Sequence, residues 1–153
     1  MDTLQQELQS LGEVAREAGR RQLEAWGGVR AIDFKSSVEM VTDLDRAVEA
    51  YLVEELHRRF PNDSIRAEEG GAVDGDSGRT WHIDPLDGTT NYVHGHPFFC
   101  ASLGCVDAEG YALAAVCAPE LDELFLASRG GGARLVRPLR GLSLIHISEP
   151  TRP

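Results

Sequence analysis

Two aspartates, a glycine and two threonines lie close together in the segment W-H-I-D-P-L-D-G-T-T-N-Y, residues 81–92. Asp84 and Asp87 are three residues apart, and carboxylate oxygens are the ligands that Mg²⁺ and other hard divalent cations prefer. Pro85 stiffens the turn between them, and Gly88 lets the backbone approach a ligand with the following amides turned toward it. The segment therefore predicts a site for hard metal ions and a phosphate.

A second acidic pair, Glu68-Glu69, follows an apolar run upstream. If the strand before Glu68 neighbours the strand that carries Asp84, these side chains come within reach of one ion, and converging carboxylates repel one another unless cations lie between them. Taken singly, each acid has a plainer interpretation, because Asp-Pro and Asp-Gly pairs are common turn formers and paired glutamates often form a solvated corner. The joint pattern favours the metal site.

Two predicted helices precede the strands that must position these acids. Apolar residues recur at helical spacing from residue 3 to about 26, where Gly27-Gly28 is predicted to end the first helix. Thr42, with Asp45 three residues on, is the predicted N-cap of a second helix that ends before Pro61. Residues 31–41 alternate enough to predict a short strand or hairpin. The predicted apolar faces comprise Leu4, Leu8, Leu11, Ala15, Ala18 and Leu23, then Leu44, Val48, Tyr51, Leu52 and Leu56.

Short β-type runs split by Gly, Asp and Pro occupy the chain from Ser64 onward. Two helices followed by strands at hairpin spacing predict an α+β fold, a layered α/β sandwich whose two N-terminal helices pack on a largely antiparallel sheet. Trp81 is expected to pack at the sheet edge. Residues 73–78 form a polar loop that lacks the closing glutamate of a calcium-binding loop.

Composition bounds the class of protein. The chain has 153 residues, 42% of them hydrophobic, which is enough for one compact domain with a core. Its formal net charge of −10 argues against nucleic acid or an anionic membrane as a partner, because the summed field repels polyanions. The sequence contains no apolar run of membrane-spanning length and its first residues lack the layout of a secretion signal, so we expect a cytoplasmic location.

Cysteines and histidines receive structural interpretations. Cys100, Cys105 and Cys117 lack the spacing of zinc or redox motifs and are predicted to be buried small hydrophobes. His94 and His96 could be soft-metal ligands, but the glycine and proline around them favour a loop.

The segment D-P-L-D-G-T-T-N-Y, preceded by A-E-E-G, resembles the first signature of the inositol monophosphatase family. These are metal-dependent, lithium-sensitive phosphatases that include bacterial SuhB-type proteins. The segments D-F-K-S-S-V-E-M-V-T-D-L-D upstream and S-R-G-G-G-A-R-L-V-R-P-L-R downstream resemble the family too, so the match covers roughly residues 1 to 140. The resemblance implies the N-terminal portion of an inositol monophosphatase-like domain.

Carried over residue by residue, the resemblance implies that two or three Mg²⁺ ions are bound by Glu68, Asp84, Asp87 and the backbone carbonyl of Leu86. Glu69 would be a supporting acid near the metals. The implied reaction is hydrolysis of inositol 1-phosphate or a similar small polyol phosphate by a metal-activated water.

The implied catalytic residues are Thr89, Asp45 and Glu68, with Thr89 and Asp45 orienting the attacking water and helping to deprotonate it. Amides of Gly88 and Thr89 would hold the substrate phosphate at a helix N-terminus. The implied substrate-binding set comprises Glu68, Leu86, Asp87, Gly88 and Thr89.

Other functions within the resemblance stay open. Relatives with the same signature act on histidinol phosphate, fructose 1,6-bisphosphate or 3′-phosphoadenosine nucleotides. SuhB-type relatives are also non-catalytic partners of the transcription machinery. A homodimer is implied for the full-length form.

The chain departs from the family pattern in its second half. A complete member carries a second signature, W-D-x-A-[AG]-G, and neither Trp26 nor Trp81 precedes an aspartate here. We therefore interpret the chain as an N-terminal half that lacks one metal ligand, has little or no activity of its own and exposes apolar surface. Residues 141–153 resemble translated sequencing-adapter read-through, so this tail is interpreted as non-native, with genuine sequence ending near Arg140.

Overall fold

A computed structural model describes residues 3–29 and 34–137; the tail at 141–153 lies outside these ranges. Two long helices come first, α1 (Thr3–Val29) and α2 (Phe34–Arg59). The remaining elements are β1 (Ser64–Ala67), β2 (Ala72–Val73), β3 (Thr80–Asp87), the short helix α3 (Thr89–Val93), β4 (Cys100–Asp107), β5 (Gly110–Ala118), β6 (Glu123–Ser128) and β7 (Gly132–Val136).

The strands form one sheet in the order β2-β1-β3-β4-β5-β6-β7. Strands β1 and β3 run parallel, and the other neighbouring pairs of this sheet are antiparallel. Helix α1 packs against β4, β5 and β6, while α2 packs against β1 and β3, so both helices cover the same face. The α+β layered fold predicted from the sequence is confirmed.

Alternating residues of the strands build the core with the two helices. Trp81, Ile83, Leu103, Leu113 and Leu124 are buried on the helix side of the sheet, because side chains along a strand point alternately to its two faces. Most of the predicted helical faces are confirmed as buried core: Leu8, Leu11, Ala15, Ala18, Val48, Leu52 and Leu56.

A second, smaller apolar cluster lies beneath the turn that follows β3. Leu86 and Tyr92 pack there with Trp26 from α1, Val41 from α2 and Phe99. The rings of Tyr92 and Phe99 meet edge to face with centroids 4.7 Å apart. This cluster attaches the segment around Asp87 to both long helices.

The predicted helix ends were wrong in two places. Helix α1 continues through Gly27 to Val29, and α2 begins at Phe34, so residues 34–41 are helical where a strand or hairpin was expected. Thr42 is inside α2, where its hydroxyl donates to the Val38 carbonyl at 3.0 Å. The buried side of α2 includes Val41, and this tertiary contact outweighs the local β-like alternation.

Three further expectations need correction. Trp81 is wholly buried in the core, because its ring stacks near Phe60 and its indole N–H donates to Asp63 at 2.9 Å. Cys105 and Cys117 are buried as predicted, but Cys100 is only half-buried. Strands β2 and β7 were not anticipated, whereas the helix that the resemblance implied after Gly88 is present as α3.

Candidate active site

The predicted acids lie where β1 ends beside its parallel partner β3, which continues to Asp87. Ala67, the last residue of β1, is paired with Ile83 of β3. The Glu68 amide extends this pairing by donating to the Ile83 carbonyl at 3.1 Å. Glu68 therefore lies beside Asp84, and the two carboxyl groups share a hydrogen bond. The expectation that these two strands are neighbours is confirmed.

A β-bulge places Asp84 and Asp87 on the same face of the sheet. Asp84 is paired with Ser102 of β4 and Asp87 with Cys100, so two residues of β3 lie opposite one residue of its partner. In a regular strand, residues three apart point to opposite faces, and one extra residue restores the common side. Asp87 is accordingly the last residue of β3, not a residue of the following turn as predicted.

The two bulge residues between the aspartates are buried and hydrogen-bonded. The Leu86 amide donates to Asp84 Oδ1 at 3.0 Å, and the Leu86 carbonyl accepts from the Thr89 hydroxyl at 3.0 Å. The thiol of Cys100 faces Asp87 Oδ2 at 3.9 Å. The Leu86 carbonyl thus lies between the two aspartates in the sequence and is hydrogen-bonded to the side chain of Thr89.

Gly88 makes the turn from β3 into α3. Its φ of 85° is left-handed, and a side chain there would meet the Phe98 carbonyl oxygen at 2.6 Å. Its own carbonyl accepts the Tyr92 amide at 3.0 Å. Gly88 and Thr89 therefore stand at the start of a short helix, and their phosphate-binding role stays a prediction.

Helix α2 adds two more acids to the site. Asp45 is only 9% exposed, and its Oδ1 is buried without a hydrogen-bond partner. Burial, followed by the charges of Glu69, Glu68 and Glu49, raises the pKa of Asp45 to about 6. The Thr89 hydroxyl donates to the Leu86 carbonyl, so the proposed pairing of Thr89 with Asp45 stays a prediction.

Glu49 holds the loop that carries Glu68 and Glu69. Its carboxylate accepts the amides of Glu69 and Gly71, each at 3.0 Å. We did not predict this residue from the sequence. The available signal was its spacing, because residues four apart share one face of a helix and Glu49 follows Asp45 by four.

The electrostatics of the cluster disfavour full ionisation. Burial raises the pKa of Asp84 to about 7, with the hydrogen bond and charge of Glu68 and the charge of Asp87 acting in the same direction and the Leu86 amide opposing them. An open cleft beside this pair is lined by Glu68, Asp84, Ser102, His82 and Arg66. Carboxylates held together in this way gain from a divalent cation.

The donor set fits Mg²⁺ because it consists of carboxylate and carbonyl oxygens. Contact joins Glu68 and Asp84, while Asp87 acts on Asp84 through its charge. Within residues 3–29 and 34–137, no group of three acidic, histidine or cysteine side chains is close enough to hold one ion by itself. Backbone oxygen, substrate or a further ligand would therefore have to complete the coordination.

The structure describes the surroundings of His96 and of the three cysteines. His96 lies in the loop after α3, where its amide donates to the Asn91 carbonyl at 2.8 Å. Burial raises the pKa of Cys100 to about 11 and that of Cys117 to about 12, and it raises the pKa of Cys105 as well. Thiols with such pKa values are poor nucleophiles near neutral pH.

The family model described as "Inositol monophosphatase family" matches residues 3–151. The chain belongs to the inositol monophosphatase family. An inositol monophosphatase of Dictyostelium discoideum is 40% identical over 152 residues, which cover 96% of this chain and 56% of that protein. A putative Nus factor SuhB of Neisseria meningitidis is 40% identical over 124 residues, covering 79% of this chain and 48% of that protein.

A solved structure of this family superimposes on the fold. The inositol monophosphatase of Anabaena (Nostoc) sp. PCC 7120 gives a TM-score of 0.73 at 36% identity, covering 89% of this chain and 49% of that one. The chain spans about half the length of the curated relatives it matches. None of the helices that the structure describes is long and apolar enough to cross a membrane.

Proposed function

We propose that this chain is the N-terminal part of a Mg²⁺-dependent phosphomonoesterase that acts on inositol 1-phosphate or a similar small polyol phosphate. The observation that carries the proposal is the bulge that brings Asp84 and Asp87 to one face beside Glu68. Family membership and the oxygen-only donor set support it.

In this proposal Glu68, Asp84, Asp87 and the Leu86 carbonyl hold the metal ions. When bound, Mg²⁺ supplies a Lewis acid that activates water and offsets charge on the leaving group. Amides of Gly88 and Thr89 hold the phosphate and orient it toward the acids. Asp45, a buried carboxyl group of α2, accepts a proton from the water, and Thr89 orients that water.

The remaining features of the proposal follow from family membership and charge. A full-length form would be a cytoplasmic homodimer. An acidic chain with a net charge of −10 favours a small phosphorylated substrate held through cations over binding to nucleic acid or an anionic membrane. A non-catalytic role in transcription is the competing function, and the acidic balance does not favour it.

Release of inorganic phosphate tests the proposal. The 153-residue chain and a full-length parent protein are each incubated with inositol 1-phosphate, fructose 1,6-bisphosphate, histidinol phosphate and a 3′-phosphoadenosine nucleotide, with Mg²⁺ or with EDTA. We expect Mg²⁺-dependent release by the parent, most from inositol 1-phosphate, and little or none by this chain.

Matched variants assign that activity to the site. Asp84→Asn in the parent should lower turnover by about 100-fold or more, because it removes a ligand to the ion. Asp76→Asn removes an equally charged but exposed carboxylate in the loop after β2 and should change nothing. If the parent releases phosphate from none of the four substrates, the proposed function is wrong.

A further inference from the structure

A side chain from outside the sheet is hydrogen-bonded to the bulge between Asp84 and Asp87. Pro85 has no amide hydrogen, and its carbonyl accepts a hydrogen bond from Gln22 Nε2 of α1 at 2.8 Å. Gln22 is 0% exposed and is separated from Pro85 by 63 positions in the chain. A long-range, fully buried amide therefore bonds the backbone between the two aspartates.

Burial of the Gln22 side chain lowers the stability of the fold unless the hydrogen bond of its amide compensates. The adjoining buried faces of α1 carry apolar residues, including Ala15, Ala18 and Trp26. Gln22 Oε1 is buried with no hydrogen-bond partner, so only the amide nitrogen of this side chain is satisfied. Burial of a half-satisfied amide disfavours folding, and an apolar residue of similar volume would avoid the penalty. The Pro85 carbonyl is the one group to which this side chain donates a hydrogen bond within the described structure.

The same turn of α1 also fixes the far side of the site. The backbone carbonyl of Gln22 accepts the hydroxyl of Tyr92, and the indole N–H of Trp26 donates to the Tyr92 carbonyl at 3.3 Å. Tyr92 belongs to α3, which begins directly after Gly88. One turn of α1 thus makes hydrogen bonds to the chain before Asp87, at Pro85, and after Thr89, at Tyr92.

We propose that Gln22 is a positioning residue of the acidic site, acting through the Pro85 carbonyl to set the direction of Asp84 and Asp87. Without the amide, the buried carbonyl has to rotate toward another donor, and the peptide planes on either side of it carry the two aspartates with them. The part of this inference that concerns metal binding rests on the proposed function; the part that concerns backbone geometry does not.

Gln22→Met tests the inference in the 153-residue chain. Methionine is similar in volume and removes both the donor and the unpaired oxygen. Gln6→Met makes the same exchange at an exposed position of the same helix and is the control. The first measurement is amide hydrogen exchange by NMR at Leu86, whose N–H is bonded to Asp84, with Leu103 in β4 as the internal reference. The second is the affinity for Mn²⁺, used as the probe ion, by electron paramagnetic resonance.

In Gln22→Met we expect amide exchange at Leu86 to be about tenfold faster, with exchange at Leu103 unchanged. We expect Mn²⁺ binding to be about tenfold weaker, which is the lower end of the range for loss of a group that orients metal ligands. Gln6→Met should match the unsubstituted chain in both amide exchange and Mn²⁺ affinity. Unchanged exchange at Leu86 overturns the positioning role.

Two other outcomes are informative. If neither the unsubstituted chain nor the full-length parent protein binds Mn²⁺, the metal part of the proposed function fails, and the exchange data alone decide the role of Gln22. If Gln22→Met does not fold, Gln22→Asn, which keeps an amide but is one methylene too short to reach Pro85, replaces it. Loss of the fold in both variants would show that Gln22 supports the whole domain and would overturn a specific positioning role.

Discussion

Asp84 and Asp45 are held where ionisation is unfavourable. Their pKa values of about 7 and about 6 lie well above the ordinary value for aspartate of about 4, chiefly because of burial and then because of neighbouring carboxylates. In an unfolded chain both groups return to the ordinary value. The site therefore opposes folding at high pH when no cation is present, and a bound cation would reverse that effect.

The stability of the metal-free chain should rise as the pH falls from 8 to 5. Both folded-state pKa values are raised, so the folded chain binds protons more readily than the unfolded chain, and protonation favours folding as the pH falls through about 7 and about 6. In EDTA we expect the melting temperature to be about 2–4 °C higher at pH 5 than at pH 8, as for a change of about 1 kcal/mol. Differential scanning calorimetry measures it.

Asp84→Asn isolates the contribution of the site. The melting temperature of this variant should depend much less on pH, whereas Asp76→Asn should keep the full dependence. At pH 8, Mg²⁺ should raise the melting temperature of the unsubstituted 153-residue chain but not that of Asp84→Asn. Glu17 and Asp107 do not disturb this window, because their arginine partners lower their pKa values to about 2. Equal melting temperatures for the parent chain at pH 5 and pH 8 in EDTA would contradict the prediction.

Residue types predicted part of the site, and long-range contacts supplied the rest. The acids, glycine and threonine of the 84–89 segment are adjacent in the sequence, so their common location was predictable. Gln22 and Glu49 contact the site across 63 and 20 positions. Glutamine and glutamate are common on helices, so neither residue stands out in the sequence. Their contacts with the site arise from the way the helices dock on the sheet, and local sequence patterns do not predict that docking.

At the scale of elements, the turn from β3 into α3 depends on a glycine in two separate ways. Gly88 and Gly78 have nearly the same left-handed φ, 85° and 80°, but a side chain at Gly88 would contact the Phe98 carbonyl at 2.6 Å, whereas at Gly78 it would meet nothing within 4 Å. Gly78→Ala should therefore cost only the left-handed conformation, about 1–2 kcal/mol. The difference between the stability losses of Gly88→Ala and Gly78→Ala therefore measures the contribution of the steric contact with Phe98.

Gly88→Ala should destabilise the chain by about 3 kcal/mol or more, because overpacking against backbone adds to the conformational cost. Urea unfolding of both alanine variants measures the two losses. Exchange of the Tyr92 amide, which is bonded to the Gly88 carbonyl, should be faster in Gly88→Ala alone. Equal losses of stability in the two variants would show that the Phe98 contact does not matter.

Docking of α1 on the sheet uses a partly buried cation. Arg79 donates to both carboxylate oxygens of Glu7, at 3.0 and 3.2 Å, and lies 3.3 Å from Asp63, which also accepts the indole N–H of Trp81. Arg79→Met would leave two partly or fully buried acids without their common cation. We expect a loss of about 3 kcal/mol, close to the cost of breaking a buried ion pair.

Arg58→Met is the matched control for Arg79, because Arg58 pairs with Glu55 on the exposed side of α2. Its loss should be below about 1 kcal/mol. Equilibrium unfolding in urea compares the two variants at constant pH and salt. A loss in Arg79→Met no larger than in Arg58→Met would mean that the cluster is screened by solvent and does not hold α1 in place.

The order of helices and strands was predictable, and the exact ends were not. Periodicity predicted both helices and the longer strands because each buries one continuous face. It misplaced the start of α2 because the β-like alternation of residues 34–41 competes with the burial of Val41 among Trp26, Leu86 and Phe99, which are distant in the chain. It also missed β2, since two residues cannot show an alternation.

At the scale of the whole molecule, the sheet has one face covered by helices and a second face without a helix from the described part of the chain. A row across the sheet on this second face runs from Asp84 through Ser102, Val116 and Phe125 to Leu135, each paired with the next. The acidic site is thus continuous with an apolar surface. The described residues leave part of that surface exposed and open to contact with another polypeptide.

We expect the isolated chain to associate through this second face when salt screens its charge. Phe125 is 42% exposed and Tyr111, paired with Val106 on the same side, is 79% exposed. The net charge of −10 repels a second copy, and this repulsion reaches about 30 Å in 0.01 M salt but about 3 Å in 1 M salt. Sedimentation velocity should therefore show mostly monomer in dilute salt and a concentration-dependent larger species in 1 M salt.

The double variant Tyr111→Thr/Phe125→Thr should remain monomeric in both salt conditions, because it removes apolar area and keeps both the net charge and residues suited to strands. Val38→Thr alters a side chain that is also 42% exposed but lies on α2, away from this face, and it should associate like the parent chain. Salt-induced association that persists in the double variant would place the contact elsewhere. Association that weakens as salt is added would instead identify charge pairing, not apolar burial, as the attraction between copies.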